Sequence, residues 1–149
     1  MTLKNLLGIS LDAVAVDKLS VGMLIAAAVR NIADAQLQGL SSENQFDAAY
    51  KAIMQMAMVA LNANGYRTLK SKPGHHQTAI QTAIQTLPLT VGLPQAKVIV
   101  LDALRKQRNL SDYSGDLVPE AAAAECVMSA KDLLAHVSSW LQANRPDLL

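Results

Sequence analysis

The chain has 149 residues, a length typical of one domain with a core of its own. Hydrophobic residues make up 51% of it and aromatic residues only 3%. The core must therefore be built mainly from Ala, Leu, Val, Ile and Met, which favours close-packed helices over strands. Thirteen Lys and Arg against twelve Asp and Glu give a net charge of +1. This balance excludes a strong long-range attraction to nucleic acid or anionic lipid.

Cysteine content and the start of the chain indicate the compartment. Cys126 is the only cysteine, which excludes an intramolecular disulfide and a cysteine-rich zinc site, as expected in a reducing environment. We predict that its side chain packs in the core. The beginning of the chain has no apolar segment followed by a cleavage site, and the longest apolar run, 21–29, is far shorter than the ~20 residues that span a bilayer. The sequence therefore predicts a cytoplasmic protein without a membrane segment.

Two helices are predicted in the first half of the chain. Apolar spacing indicates a first helix over about 12–37, and Gly39 ends it. Ser42 and Gln45 have the spacing of a capping box, in which each side chain satisfies a backbone N–H at the start of a helix. A long second helix is expected to begin there. It ends at 64–65, where Asn-Gly is a left-handed C-cap signal.

Three further helices are predicted in the second half. The third covers about 75–87, the fourth begins at Pro94, where the missing N–H costs nothing, and the last runs from Pro119 to about Asn144. No segment alternates apolar and polar residues as a strand does. Since short connections make neighbouring helices antiparallel, the sequence predicts one all-α domain over 1–149, an up-and-down antiparallel bundle of four to five helices.

The histidines do not form the pattern of a metal site. His75 and His76 are adjacent, so on a helix their side chains diverge by about 100° and do not bind one ion unaided. His136 lies one turn after Asp132, which predicts a hydrogen bond on the helix surface. We therefore predict neither a metal nor another cofactor.

One charged segment has the residue types and spacing of a phosphate site. Arg105, Arg108 and Asp112 follow one another at three- and four-residue spacing, so they share one face of the fourth helix. Two guanidinium groups and a carboxylate at the edge of a bundle have the chemistry to bind a phosphate or orient a phosphodiester. Asn109 is the further candidate contact on this helix.

The alternative interpretation of this segment is structural. On a helix Asp112 pairs with Arg108, and Asp102 pairs with Arg105 or Lys106, at the same three- and four-residue spacings. Such surface ion pairs contribute little to stability. Both interpretations remain open from the residues alone.

The chain resembles a HEPN domain (higher eukaryotes and prokaryotes nucleotide-binding) over about 19–141. The resemblance lies in the helix order, in the alanine-rich first helix and in the order of short motifs, which are Phe46-Asp47-Ala48-Ala49-Tyr50-Lys51-Ala52, Gly65-Tyr66-Arg67, Gly74-His75-His76 and Arg108-Asn109. It implies a helical bundle, commonly a homodimer, that acts on RNA or nucleotides. Members are often encoded beside a small nucleotidyltransferase in toxin–antitoxin pairs, which the resemblance implies as a partner.

Many HEPN domains are metal-independent ribonucleases whose site is Arg, four to six further residues, and then His. Arg108 matches the Arg and Asn109 the polar residue after it, but the positions allowed for the His hold Tyr113, Ser114 and Gly115. Imidazole is the side chain whose unperturbed pKa suits proton transfer near neutral pH, and Tyr113 titrates too high to replace it without a large shift. The resemblance thus implies a site that keeps its phosphate-binding half and lacks its proton-transfer half.

Three functional hypotheses follow. The first is a HEPN-like dimeric bundle that binds RNA, a nucleotide or a partner protein with little or no nuclease activity, with phosphate held by Arg105, Arg108 and Asn109 and these oriented by Asp112 and Tyr113. The second is a metal-independent ribonuclease in which Arg108 acts with Tyr113 or with a distant histidine. The third is a structural dimerisation module whose helical stripes serve only packing.

Overall fold

The computed structural model describes residues 2–69, 75–115 and 117–149, with the side chains of 75–78, 112 and 113 left out. In these ranges the chain forms six α-helices, two short β-strands and the 3-10 segments Leu3–Leu6 and Pro146–Leu148. The elements in chain order are β1 (Leu11–Ala13), α1 (Lys18–Ala35), α2 (Ser42–Ala63), β2 (Tyr66–Thr68), α3 (His75–Gln85), α4 (Leu87–Val91), α5 (Gln95–Ser114) and α6 (Glu120–Asn144). The prediction of an all-α helical bundle is confirmed.

The second helix, α2, lies at the centre of the bundle. Eleven of its 22 residues are buried. The rings of Phe46 and Tyr50 stack on each other near its start, with centroids 6.3 Å apart and an interplanar angle of 7°. The other buried side chains of α2 are Ala, Val, Ile, Leu and Met, as the composition predicts. Helix α2 is therefore the surface against which the other long helices pack.

Two contacts show that α2 and α6 run in the same direction. Near the start of both helices the Cys126 thiol donates to the carbonyl oxygen of Phe46 over 3.7 Å. Near their ends Arg145 donates to the carbonyl oxygen of Ala63 over 3.1 Å. The contact that lies later on α2 also lies later in the chain at α6, so the two helices are parallel.

Helices α1 and α5 run in the opposite direction to α2 and α6. Asn31 in α1 donates to Gln55 in α2 over 2.9 Å, whereas Ser20, earlier in α1, lines one cleft with Asn62, later in α2. Similarly, early α5 contacts later α6 through the ion pair of Lys97 with Asp132. The four long helices thus alternate up and down, as predicted.

The predicted start of the first helix at residue 12 is wrong. Residues 11–13 form β1, which pairs antiparallel with β2, and α1 begins only at Lys18. Asp17 sets this start, because its carboxylate accepts from the Leu19 N–H over 3.1 Å and from the Ser20 hydroxyl over 2.7 Å. Such a cap satisfies backbone donors that have no partner inside the helix.

The cap predicted for the second helix is displaced by one residue. Ser41, not Ser42, accepts from the Asn44 N–H over 3.2 Å and is the N-cap of α2. The Ser42 hydroxyl instead donates to the carbonyl oxygen of Val118 over 2.7 Å. This hydrogen bond joins the start of α2 to the segment that precedes α6.

The region predicted as a third helix over 75–87 contains two helices. Helix α3 ends at Gln85, and the five-residue α4 follows up to Val91. Pro88 accounts for the break, because its ring has no N–H to continue the hydrogen-bond ladder of α3, whereas a Pro is tolerated in the first turn of a new helix such as α4. The predicted start of α5 at Pro94 is one residue early, because Pro94 is the N-cap and the helix begins at Gln95. The predicted end of α6 near Asn144 is confirmed. Among the helices that are described, none is both long and apolar enough to span a membrane.

Candidate functional site

Arg105 lies on the face of α5 that is turned toward the bundle. Its side chain is only 11% exposed, and its Nε donates to Oδ1 of Asp102 over 2.9 Å. Lys106 Nζ lies 3.4 Å from the other carboxylate oxygen of Asp102. Burial raises the pKa of Asp102, but the hydrogen bonds and charges of Arg105 and Lys106 outweigh this, and its pKa falls below its usual value. The predicted pairing of Asp102 with Arg105 and Lys106 is thus confirmed.

Arg108 joins α5 to α2. Its Nε lies 3.3 Å from Oδ1 of Asp47, and its guanidinium carbon lies 5.0 Å from the centre of the Tyr50 ring. The second distance is typical of a cation–π contact. Arg108 is therefore engaged both by a carboxylate and by an aromatic face of α2.

The charges of both arginines act on the phenol of Tyr50. Burial raises its pKa to about 12, and the charges of Arg108 and Arg105 oppose that rise. The charges of both predicted arginines therefore act on the same phenol, and the guanidinium of Arg108 also lies over its ring. Cys126, on α6, lies beside the same cluster, and burial followed by the charges of Asp47 and Glu125 raises its pKa to about 12.

The other residues of the predicted phosphate site lie on the last turns of α5. Asn109 is half-buried there. The backbone of Asp112 and Tyr113 is helical, but their side chains lie outside the described set, so their orienting role stays a prediction. Phosphate binding by Arg105 and Arg108 also stays a prediction. An incoming phosphate would compete with the carboxylates of Asp102 and Asp47 for the two guanidinium groups.

His136 is engaged at a different place from these arginines. Its Nε2 lies 2.7 Å from the carbonyl oxygen of Val91, at the end of α4, while Asp132 pairs with Lys97. The predicted hydrogen bond between His136 and Asp132 is therefore wrong. Val91 precedes α5, whereas the arginines lie about 15 to 20 Å along that helix, at its rise of 1.5 Å per residue. The side chains of His75 and His76 lie outside the described set.

The structure also has a groove between α5 and α6, which the sequence did not reveal. It encloses about 470 Å³, and the Lys97–Asp132 ion pair crosses one end of it with a separation of 2.9 Å. Most of its lining is apolar, and the lining residues are Leu93, Ala96, Lys97, Val100, Leu101, Glu125, Met128, Ser129, Asp132 and Leu133. Met128 is 68% exposed at its edge.

An apolar stripe, here called the α1 stripe, lies on the solvent side of α1 and was likewise not evident from the sequence. Its members are Leu19, Gly22, Met23, Ala26, Val29, Ala33 and Leu37, the last just beyond the helix end, and each is exposed. Leu19 is 71%, Met23 64% and Leu37 60% exposed. The opposite face of α1 is also apolar and lies in the core. Helix α1 is thus apolar on both faces, which is unusual for a helix at a protein surface.

Comparison with known proteins adds no family assignment. No protein-family model matches the chain, and neither the curated proteins nor the solved structures contain a match. The HEPN resemblance therefore stays a prediction. Within the described residues, no three His, Cys, Asp or Glu side chains are placed to hold a metal ion together.

Proposed function

We propose that this chain is a protein-interaction module of HEPN-like type that forms a homodimer through the α1 stripe. The single observation that carries the proposal is the exposure of this stripe. Large apolar surfaces left open on a soluble domain are typical of sites where another protein binds. Arg105 and Arg108 support the same view, because both already make contacts within the bundle.

The sizes of the stripe residues suit a second copy of the same chain. A two-fold interface requires a patch that is complementary to itself, so that residue i meets j and j meets i. In an antiparallel pair of α1 helices centred on Ala26, residues equally far before and after Ala26 lie at the same level. Leu19 is then level with Ala33 of the second copy, and Met23 with its Val29. Each larger side chain thus meets a smaller one.

The charges that flank the stripe favour the same antiparallel arrangement. Lys18 and Asp34 are both exposed and lie eight residues before and after Ala26. An antiparallel pair places Lys18 level with Asp34 of the second copy, whereas a parallel pair places like charges level with each other. Asp34 also comes to lie near the first turn of the other helix, where the helix dipole favours a negative charge.

The oligomeric state of matched variants tests this proposal. Met23 in the stripe and Met128 on α6 are nearly equally exposed, at 64% and 68%. We expect the wild type to sediment as a dimer, Met23→Lys as a folded monomer, and Met128→Lys as a dimer, because only the first substitution places a charge in the apolar seam. Analytical ultracentrifugation measures the mass, and circular dichroism shows that each variant folds. A monomeric wild type, or a dimeric Met23→Lys, would overturn the proposal.

A further inference from the structure

The groove between α5 and α6 is about as long as two turns of an α-helix, so its length suits a helix from another molecule. On α6 its lining extends from Glu125 to Leu133, and on the other side from Leu93, just before α5, to Leu101 within it. The eight residue steps on α6 cover about 12 Å. A bound helix with apolar residues at positions i, i+3 or i+4, and i+7 places its anchors over about 10.5 Å, which fits this length.

The walls of the groove suit apolar anchors. Val100, Leu101 and Leu133 line it, and Leu101 and Leu133 are themselves core residues. Met128 extends from the rim and is 68% exposed. Methionine has an unbranched, polarizable side chain that adjusts to the shape of a bound partner. The groove therefore offers both a rigid base and an adaptable edge.

The two ends of the groove differ in charge. At one end Lys97 and Asp132 neutralise each other across 2.9 Å. At the other end, about 10 Å away along α6, Glu125 is in none of the ion pairs found among the described residues. The groove thus has one net negative charge, at its Glu125 end. A ligand that fills it is expected to carry a positive charge at that end.

We propose that this groove binds an amphipathic helix of a partner protein, with apolar residues in the groove and a Lys or Arg beside Glu125. The proposal goes beyond dimerisation and uses a different surface, since none of the α1 stripe residues lines the groove. Loss of helix binding with an intact dimer, or the reverse, therefore separates the two proposals.

A designed peptide probes the groove directly. The probe is a fluorescent helical peptide of about five turns with leucines at i, i+3 and i+7 and lysines on one flank. We expect fluorescence anisotropy to show saturable binding to the wild type and to Met23→Lys. Binding to Met128→Lys should be about tenfold weaker or more, because that variant places a charge at the apolar rim and repels the basic flank.

The charge requirement is tested by two further changes. Glu125→Gln should weaken binding of the lysine peptide a few-fold and reduce its dependence on salt, because the groove then lacks its net charge. A peptide with glutamates in place of the lysines should bind more weakly to the wild type. Equal binding of the lysine peptide to the wild type and Met128→Lys, or preference for the glutamate peptide, would overturn the proposal.

Discussion

Tyr50 connects three helices through its own contacts and those of its neighbours. Its ring stacks on Phe46 within α2 and lies under the guanidinium of Arg108 from α5, and Cys126 on α6, once ionised, raises its pKa. The stack with Phe46 is local to α2, whereas the interactions with Arg108 and Cys126 join residues far apart in the sequence. At the scale of single residues, this cluster is where the arginines that the sequence singled out for phosphate binding are placed.

The buried Tyr50 and Cys126 predict a loss of stability at alkaline pH. Burial raises both pKa values to about 12, from ordinary values of 10.0 and 9.0. The unfolded chain therefore releases these protons at a lower pH than the folded protein does. The stabilisation is complete below about pH 9 and is lost as the pH rises toward about 12.

Two variants test whether the loss of stability at alkaline pH comes from Tyr50 and Cys126. Tyr50→Phe and Cys126→Ala each remove one of the two protons, so each should make the free energy of unfolding fall less steeply with rising pH. Urea denaturation between about pH 8 and 11 gives the slopes, which are compared independently of the absolute stability of each variant. Parallel curves for the wild type and both variants would show that the two groups are not protected by burial.

At the scale of elements, local signals predicted the four long helices and missed their long-range contacts. The end of α6 at Asn144 and, to within one residue, the start of α5 at Pro94 follow from residues at those positions. The pairing of β1 with β2 joins residues more than fifty positions apart, and three-residue strands are too short to show alternation. The one-residue displacement of the α2 cap likewise reflects the distant carbonyl of Val118, which engages Ser42.

The same distinction applies to the candidate site. Asp102 with Arg105 and Lys106 was predictable, because those pairs lie three and four residues apart on one helix. The contact of Arg108 with α2 was not, since it depends on how α5 packs. The α1 stripe and the groove were missed because periodicity identifies the face that a helix buries, and says little about a second apolar face.

The contact of α5 with α2 leads to a stability prediction. Arg108→Gln removes the cation–π contact with Tyr50 and the ion pair with Asp47, and it should lower the free energy of unfolding by about 1 kcal/mol. The matched control is Lys106→Gln, because Lys106 is 69% exposed and its ion pair lies at the surface. Urea denaturation at neutral pH measures both variants. An equal effect of the two substitutions would mean that Arg108 does not hold α5 to α2.

At the scale of the whole molecule, the proposals describe a dimer with two helix-binding grooves. In the proposed dimer the α1 stripe joins the copies, and each copy keeps its own groove between α5 and α6. Two linked sites raise the effective affinity for a partner that is itself dimeric, provided that the geometry allows both sites to be occupied. Dimerisation would then strengthen partner binding without any new contact in the groove.

Disulfide trapping at Ala26 tests the α1 interface most directly. The two-fold arrangement centred on Ala26 brings this residue next to its own copy, within the distance that a disulfide spans. In a Cys126→Ala background, which removes the native thiol, Ala26→Cys should form a covalent dimer on mild oxidation, and Met128→Cys should remain monomeric on non-reducing gels. Failure of Ala26→Cys to cross-link, or equal cross-linking of the two variants, would contradict the proposed dimer.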